Sequence, residues 1–284
     1  MPEMSPGTPN PIAERRGKPR VTVVMPAYNA AQTLERTYAD IPRDLVQGII
    51  LVDDVSRDET VKIARRLGVR VVVHMQNMGY GGNQKTCYIE ALKDGSDIVV
   101  MLHPDYQYDS RLIPQMLAPI IEGRSDMVLG SRIMDGKARA GGMPVYKIVF
   151  NRMLTVIQSL IYRQRFTDLH TGFRAYRREL LETVPFLLNS NDFVFDSEMI
   201  AQAVAYGFRI SEVPVPARYF AEASSVNFLV SLRYGIKTLG VMAKYAAHTT
   251  GLKKIRQFRL RLKDIVSQHH HADLFRPQPP SEAR

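Results

Sequence analysis

"IVVMLHPDYQYDS" spans Ile98 to Ser110 and decides the fold. Its first five residues, Ile98 to Leu102, are apolar without interruption, as in a strand buried on both faces. They run directly into His103, Pro104, Asp105, Tyr106, Gln107, Tyr108 and Asp109. A buried strand that ends in oxygen donors delivers those donors to one edge of a sheet. The same order recurs along the chain. "VTVVMP" (21–26), "GIILVDD" (48–54), "VRVVVH" (69–74) and "DMVLGS" (126–131) are further strand-like runs. Helix-length segments near 31–40, 59–67, 83–93 and 112–121 separate them. Such alternation predicts an α/β fold, a mostly parallel sheet with helices on both faces. Ligands then bind beyond the carboxyl ends of the strands. The polar clusters Tyr28 with Asn29, Asp53 with Asp54, Asn77 to Asn83, and Asp105 with Gln107 all fall there.

Beyond Arg132 the pattern changes. A long helix is predicted over 145–162, followed by "FTDLHTGFRAYRREL" (166–180). "NSNDFVFDSEMIAQAVAYGF" (189–208) reads as a helix with a polar start, and "RISEVPVPARYF" (209–220) contains a strand. The division expected is a disordered tail over 1–19, a catalytic domain over 20–225, an amphipathic helical segment over 226–265 and a loose tail over 266–284. His269 to His271 fall in that last tail and read as solvated.

The 284 residues carry a formal net charge of +10 and a sequence pI near 9.7, which favours anionic partners. No aromatic-rich basic sheet motif or metal-finger spacing accompanies the charge, so nucleic acid is excluded as partner. The single cysteine, Cys87, rules out an internal disulfide and reads as a buried apolar residue. The first twenty residues hold no apolar run of the secretory kind, and no window of about 18 uncharged apolar residues exists. The chain therefore reads as cytoplasmic, with peripheral contact to the cytoplasmic membrane face or to a membrane-anchored partner. Oligomeric state is left open.

Ser56 and Glu59 have capping-box spacing, but capping does not require the two carboxylates Asp53 and Asp54 before them; these suit a base or ribose. In "NMGYGGNQK" (77–85), Gln84 stands where a dinucleotide loop has its third glycine, so the stretch is no Rossmann fingerprint. Asn77 and Gly79 either let a nucleotide approach the backbone or mark a plain turn. Asp105 and Gln107, two apart at a strand end, are hard donors suited to Mg²⁺ or Mn²⁺ that draw further oxygens from a diphosphate. His103 orients Asp105, joins the metal, or simply packs. Asp192, Asp196 and Glu198, at the start of a helix, offer a general base.

Taken in order, "VVMPAYNA", "LVDDVSRDET", "NMGYGGNQKT", "MLHPDYQYD", "LGSRI", "TDLHTGFRAYRRELL" and "GFRISEVPVPARYFAEAS" resemble the family 2 inverting glycosyltransferases of GT-A fold, over about residues 20–225. Within them the likeness is to polyprenyl-phosphate (dolichol-phosphate) sugar synthases. The resemblance implies a nucleotide-sugar donor, UDP- or GDP-linked, and transfer to a polyprenyl phosphate or to a hydroxyl acceptor. It implies that Pro26, Tyr28 and Asn29 line the nucleotide pocket and that Asp54, with Asp53, meets the base. Asp105 and Gln107 would carry metal and diphosphate, with Asp105, Arg132 and Asp196 as the catalytic set. Arg132 would reach phosphate oxygens. Asp168, Gly172 and Arg174 would shape the sugar and acceptor region, and Arg218 and Ser224 would lie on a closing loop. Three features depart from the family pattern: His103 replaces the first acid of the metal triplet, Ala30 stands where Glu is frequent, and spanning helices are missing. Two rivals are a nucleotidyltransferase, which needs a Gly-rich basic loop after strand one, and a non-catalytic membrane- or partner-binding module.

Within 226–248 apolar residues such as Leu229, Ile236, Val241 and Tyr245 recur at near-helical spacing, with Arg233, Lys237 and Lys244 between them. That pattern suits either a helix at a lipid interface or one packed on the domain or on a second subunit.

Overall fold

The computed structural model describes residues 18–136, 138–139, 141–216, 218 and 228–268. Its sheet is built from β1 (Val21–Ala27), β2 (Gly48–Asp53), β3 (Arg70–Val73), β4 (Ile98–Met101), β5 (Met127–Ser131), β6 (Arg174–Arg177) and β7 (Ile210–Pro214). Helices are α1 (Leu34–Ala39), α2 (Thr60–Arg66), α3 (Gly79–Lys93), α4 (Ile113–Ile121), α5 (Val145–Tyr162), α6 (Arg178–Thr183), α7 (Phe195–Ala205), α8 (Phe228–Thr249) and α9 (Leu262–Gln268). The strand order is β3-β2-β1-β4-β6-β5-β7.

Every residue of β1, β4 and β5 is buried, because helices cover both faces. Val24, Val52, Val99 and Met101 join one core beneath α3 and α7, while Val23, Met25, Leu51 and Val100 join the other beneath α1 and α4.

One strand escaped the sequence pattern. β6 runs antiparallel between β4 and β5, so the sheet is mostly, not wholly, parallel. "RAYR" is only four residues long and begins with an arginine, the reverse of a central-strand signature. Arg174 is 1% exposed and is tolerated because Asp196, at the start of α7, forms an ion pair with it. The insertion has a functional consequence. Arg174 pairs with Met101 and Leu129, so the preceding turn, through Gly172, arrives at the carboxyl edge where β4 delivers His103 and Asp105.

The helical segment after residue 226 is not a separate layer. Thr238, Val241 and Met242 of α8 are buried, and Val241 and Tyr245 belong to the same core as α7. Among the described residues, no helix is long and apolar enough to cross a membrane. The expected tails fall largely outside the described residues, as does Ser224.

Candidate active site

Three strand-end loops turn through left-handed non-glycine residues: Asn29 after β1 (φ 52°), Val55 after β2 (φ 66°) and Tyr106 after β4 (φ 57°). Such conformations persist only where surrounding bonds enforce them, and they gather at functional edges. Here the bonds are visible. The Asn29 N–H donates to Ser56 Oγ at 2.8 Å, and Asn29 Oδ1 accepts from the Arg57 N–H at 2.8 Å. This commits Ser56 to the first loop, so the anticipated capping box does not form. The Asp58 carboxylate accepts from the Thr60 N–H at 3.0 Å at the start of α2.

Asp54 and the Gly-rich stretch explain one another. The Asp54 carboxylate accepts from the Met78 N–H at 2.7 Å and from the Gly79 N–H at 3.0 Å, and its Oδ1 lies 2.7 Å from His74 Nδ1. A carboxylate there satisfies orphan N–H groups and suits the positive end of the helix dipole. The glycines serve a close backbone approach. Gly79 has φ +78°, and a Cβ there would lie 2.6 Å from the Asn191 carbonyl oxygen. Gly81 donates its N–H to that same oxygen at 2.8 Å. The glycines let α3 dock on the 189–191 segment, while Asn77 and Gly79 also line the cavity described below.

At the end of β4, Asp105 Oδ1 accepts from the Gln107 N–H at 3.1 Å, and burial raises the Asp105 carboxyl above its ordinary range. Arg218 secures this loop from outside. Its N–H donates to the Gln107 carbonyl at 2.8 Å, and its guanidinium pairs with Asp109 at 2.9 Å. His103 turns inward: its Nε2 lies 3.2 Å from the Tyr80 hydroxyl, and burial lowers its pKa.

Two buried ion pairs form the floor. Arg132 holds Asp168 bidentately, Nε at 2.7 Å and Nη2 at 2.9 Å, and also donates to the His170 carbonyl at 2.8 Å. Burial opposes the charge on Asp168, but Arg132 prevails and holds its carboxyl below the usual range. The neighbouring His170 is pushed down to about 4 by burial, and its Nδ1 lies 2.8 Å from the Tyr234 hydroxyl of α8. Asp196, paired with Arg174, also accepts from Gln84 Nε2 at 3.0 Å and from the Tyr80 hydroxyl at 2.7 Å.

These loops enclose a cavity of about 1060 Å³. Pro26, Tyr28, Asn29, Asp54, Asn77, Gly79, His103, Asp105, Gln107, Arg132, Gly172 and Asp196 line it together. Asp53, Asp168, Arg174 and Arg218 do not. Asp53 accepts from the Ser56 N–H at 2.9 Å, Asp168 and Arg174 lie beneath the floor, and Arg218 braces the Gln107 loop. Burial therefore keeps Arg174 from facing the sugar and acceptor region expected of it. Lys147, Tyr146, Phe150 and Tyr234 line the cavity without having been anticipated. Their positions at the start of α5 and within α8 carried only a helical pattern. Among the described residues, Arg132 and Lys147 are the only Lys or Arg that line it. Towards α5 and α8 the wall turns apolar, through Met143, Val145, Val149, Phe150, Met153 and Leu232.

Among the described residues, no group of three or more His, Cys, Asp or Glu could hold a metal. The oxygen pair Asp105 and Gln107 nevertheless fits a hard cation that keeps most of its shell for diphosphate and water. A carboxylate disfavoured by burial gains from a cation beside it.

The sequence pattern described as Glycosyl transferase family 2 matches residues 22–184. An uncharacterized protein of Methanocaldococcus jannaschii, MJ1222, is 31% identical over 71% of this chain and 83% of its own. A dolichyl-phosphate hexose transferase of Haloferax volcanii is 33% identical, over 70% of this chain and 82% of its own. Glucosyl-3-phosphoglycerate synthase from Mycobacterium tuberculosis, solved with Mn²⁺, UDP and glucosyl-3-phosphoglycerate, superposes with a TM-score of 0.63 at 18% identity over 86% of both chains. That degree of likeness establishes a shared GT-A fold.

Proposed function

The chain belongs to glycosyl transferase family 2, and from that premise we propose that it moves a sugar from a UDP- or GDP-sugar to a polyprenyl phosphate, with inversion. The carrying observation is the cavity's two-ended character. Its strand-end wall is polar, and its α5–α8 wall is apolar with Lys147 at the boundary. A phosphate acceptor is ionised near neutral pH and needs cations, not a base. Lys147 and Arg132 would orient it, while the apolar wall would accept the first prenyl units. Both Asp196 oxygens are already engaged, by Tyr80, Gln84 and Arg174, which disfavours it as the base a hydroxyl acceptor would need.

In transfer, an acceptor phosphate oxygen forms a bond to the anomeric carbon as the bond to the donor diphosphate breaks. The nucleoside diphosphate leaves with the electron pair. Asp105 and Gln107 would hold Mg²⁺ or Mn²⁺, which when bound offsets the charge developing on that diphosphate. Tyr28, Asn29 and Asn77 would receive the nucleoside.

Membrane contact follows from the same wall. Val145, Val149, Met153, Val156 and Leu160 give α5 an exposed apolar stripe, and Leu232, Ile236 and Leu239 continue it on α8. Neither helix contains an acidic residue, whereas Arg152 of α5 and Arg233 and Lys244 of α8 supply cations. An apolar face on two helices that carry cations and no acid suits an anionic bilayer. The interface proposed is thus led by α5 and not by α8 alone, whose Val241 and Tyr245 face inward and whose Lys237 pairs with Asp192.

The test supplies undecaprenyl phosphate in micelles with labelled UDP- and GDP-sugars and Mg²⁺ or Mn²⁺. Label extracted into organic solvent is expected from one donor. Label transferred only to soluble hydroxyl acceptors would refute the lipid acceptor.

A further inference from the structure

Tyr80 is the second residue of α3, and nothing in its helical context requires a tyrosine. Its ring stacks with His103, centroids 5.4 Å apart and planes 12° apart, and lies 4.7 Å from the ring of Phe193. Its hydroxyl joins three elements: the helix that carries it, the end of β4 through His103, and the start of α7 through Asp196. A hydroxyl has one hydrogen. The 2.7 Å contact to a carboxylate oxygen takes it, so the 3.2 Å contact requires His103 Nε2 to be the donor. The His103 ring also packs closely on Gly172, where a Cβ would lie 2.9 Å from His103 Cδ2. Asp196 has its remaining oxygen taken by Gln84 and Arg174.

We infer that Tyr80 is a positioning residue with His103 Nε2 its hydrogen-bond donor, and that Asp105 and Gln107 hold the cation without the remaining ring nitrogen, His103 Nδ1. The departure from an acidic triplet is then one half of a pair. His103 exchanges a metal-facing acid for a neutral donor, and Tyr80 supplies the acceptor. The pair fixes the Asp196 carboxylate and the end of β4 relative to each other across the cavity. Asp105 and Gln107 remain the protein's oxygen donors to the metal. Only the kinetic part of this inference rests on the transfer proposed above.

The experiment uses the full chain with Tyr80→Phe, His103→Phe, His103→Gln and the Tyr80→Phe/His103→Phe double variant. Calorimetry measures Mn²⁺-supported UDP and GDP binding, thermal melting measures coupling, and donor turnover measures kcat and KM. His103→Phe keeps the stack and loses the N–H, whereas His103→Gln restores a donor. Expected are nucleotide and Mn²⁺ affinities within about twofold of wild type for all variants. The expected fall in kcat for Tyr80→Phe and His103→Phe is about tenfold, as for a hydrogen bond to a charged network, with KM little changed. His103→Gln should recover part of it, and the double variant should be no worse than either single one in melting or turnover. A tenfold loss of Mn²⁺ affinity in His103→Phe would make His103 a ligand and overturn the inference. So would additive losses in the double variant. A wild type that binds neither nucleotide would refute the proposed transfer, while the melting cycle would still decide the coupling.

Discussion

Val156→Asp with Leu160→Asp places two carboxylates on the outer stripe of α5, away from the cavity lining. In the native chain these side chains are 51% and 74% exposed, so most of their apolar area remains available to a bilayer. Full burial of such a side chain contributes about 1.5–3 kcal/mol, and the exposed share therefore about 1 kcal/mol each. A charge near an anionic surface is worth about 1 kcal/mol, and here its sign is reversed. Two sites lose about 4 kcal/mol together, close to a thousandfold in partitioning. Stability should shift by no more than about 0.5 kcal/mol per site, because neither side chain is packed. Sedimentation with phosphatidylglycerol-containing vesicles at low salt measures the partitioning, and denaturant melts measure stability. Wild type should sediment and the double variant should not, with coincident melts. Equal sedimentation of the two, or no sedimentation of wild type, would remove the bilayer from the proposal.

Asp105→Asn should lower transfer by about a hundredfold or more, since it keeps shape and removes the charge facing the diphosphate site; an unshifted melting curve checks that the fold survives. His170, held at about 4 when folded against an ordinary 6.5, is more readily protonated in the unfolded chain. Its contribution is therefore present above pH 6.5 and lost as pH falls towards 4, by about 3 kcal/mol at most, and His170→Asn should flatten the melting-temperature profile across that window. Gly81→Ala would bring a Cβ within 2.8 Å of Phe195 Cβ, and a denaturant melt should show a loss of about 1–3 kcal/mol as the 189–191 segment yields.

The parallel half of the fold was legible because it obeys two periodicities at once. Uninterrupted apolar runs mark strands covered on both faces, and the segments between them have helix length. The long helix over 145–162 was located to the residue. β6 was not, because its arginine contradicts a buried strand until the ion pair to Asp196 is known. That partner lies far away in sequence, and local pattern cannot register it. Most of the polar strand-end clusters do converge on one cavity, as the topology of an α/β sheet requires. Their neighbours Arg174, Asp168 and Arg218 had the right residue types and the wrong depth. Composition reveals a charge, but not whether it faces a substrate or another charge.

The glycines and the histidine carry the same lesson further. "NMGYGG" resembles a ligand loop because both uses of glycine demand the same thing, backbone within touching distance of something else. In this chain the something else is the Asn191 carbonyl, a residue more than a hundred positions away. His103 likewise looks like a damaged metal ligand while it is weighed alone. Placed against Tyr80 it becomes a donor with a matching acceptor, and each residue accounts for the other. Deviations from a family pattern are therefore best tested in pairs. At a departure such as His103, the contacts the side chain makes, here with Tyr80, bear on its role more directly than the residue type expected there.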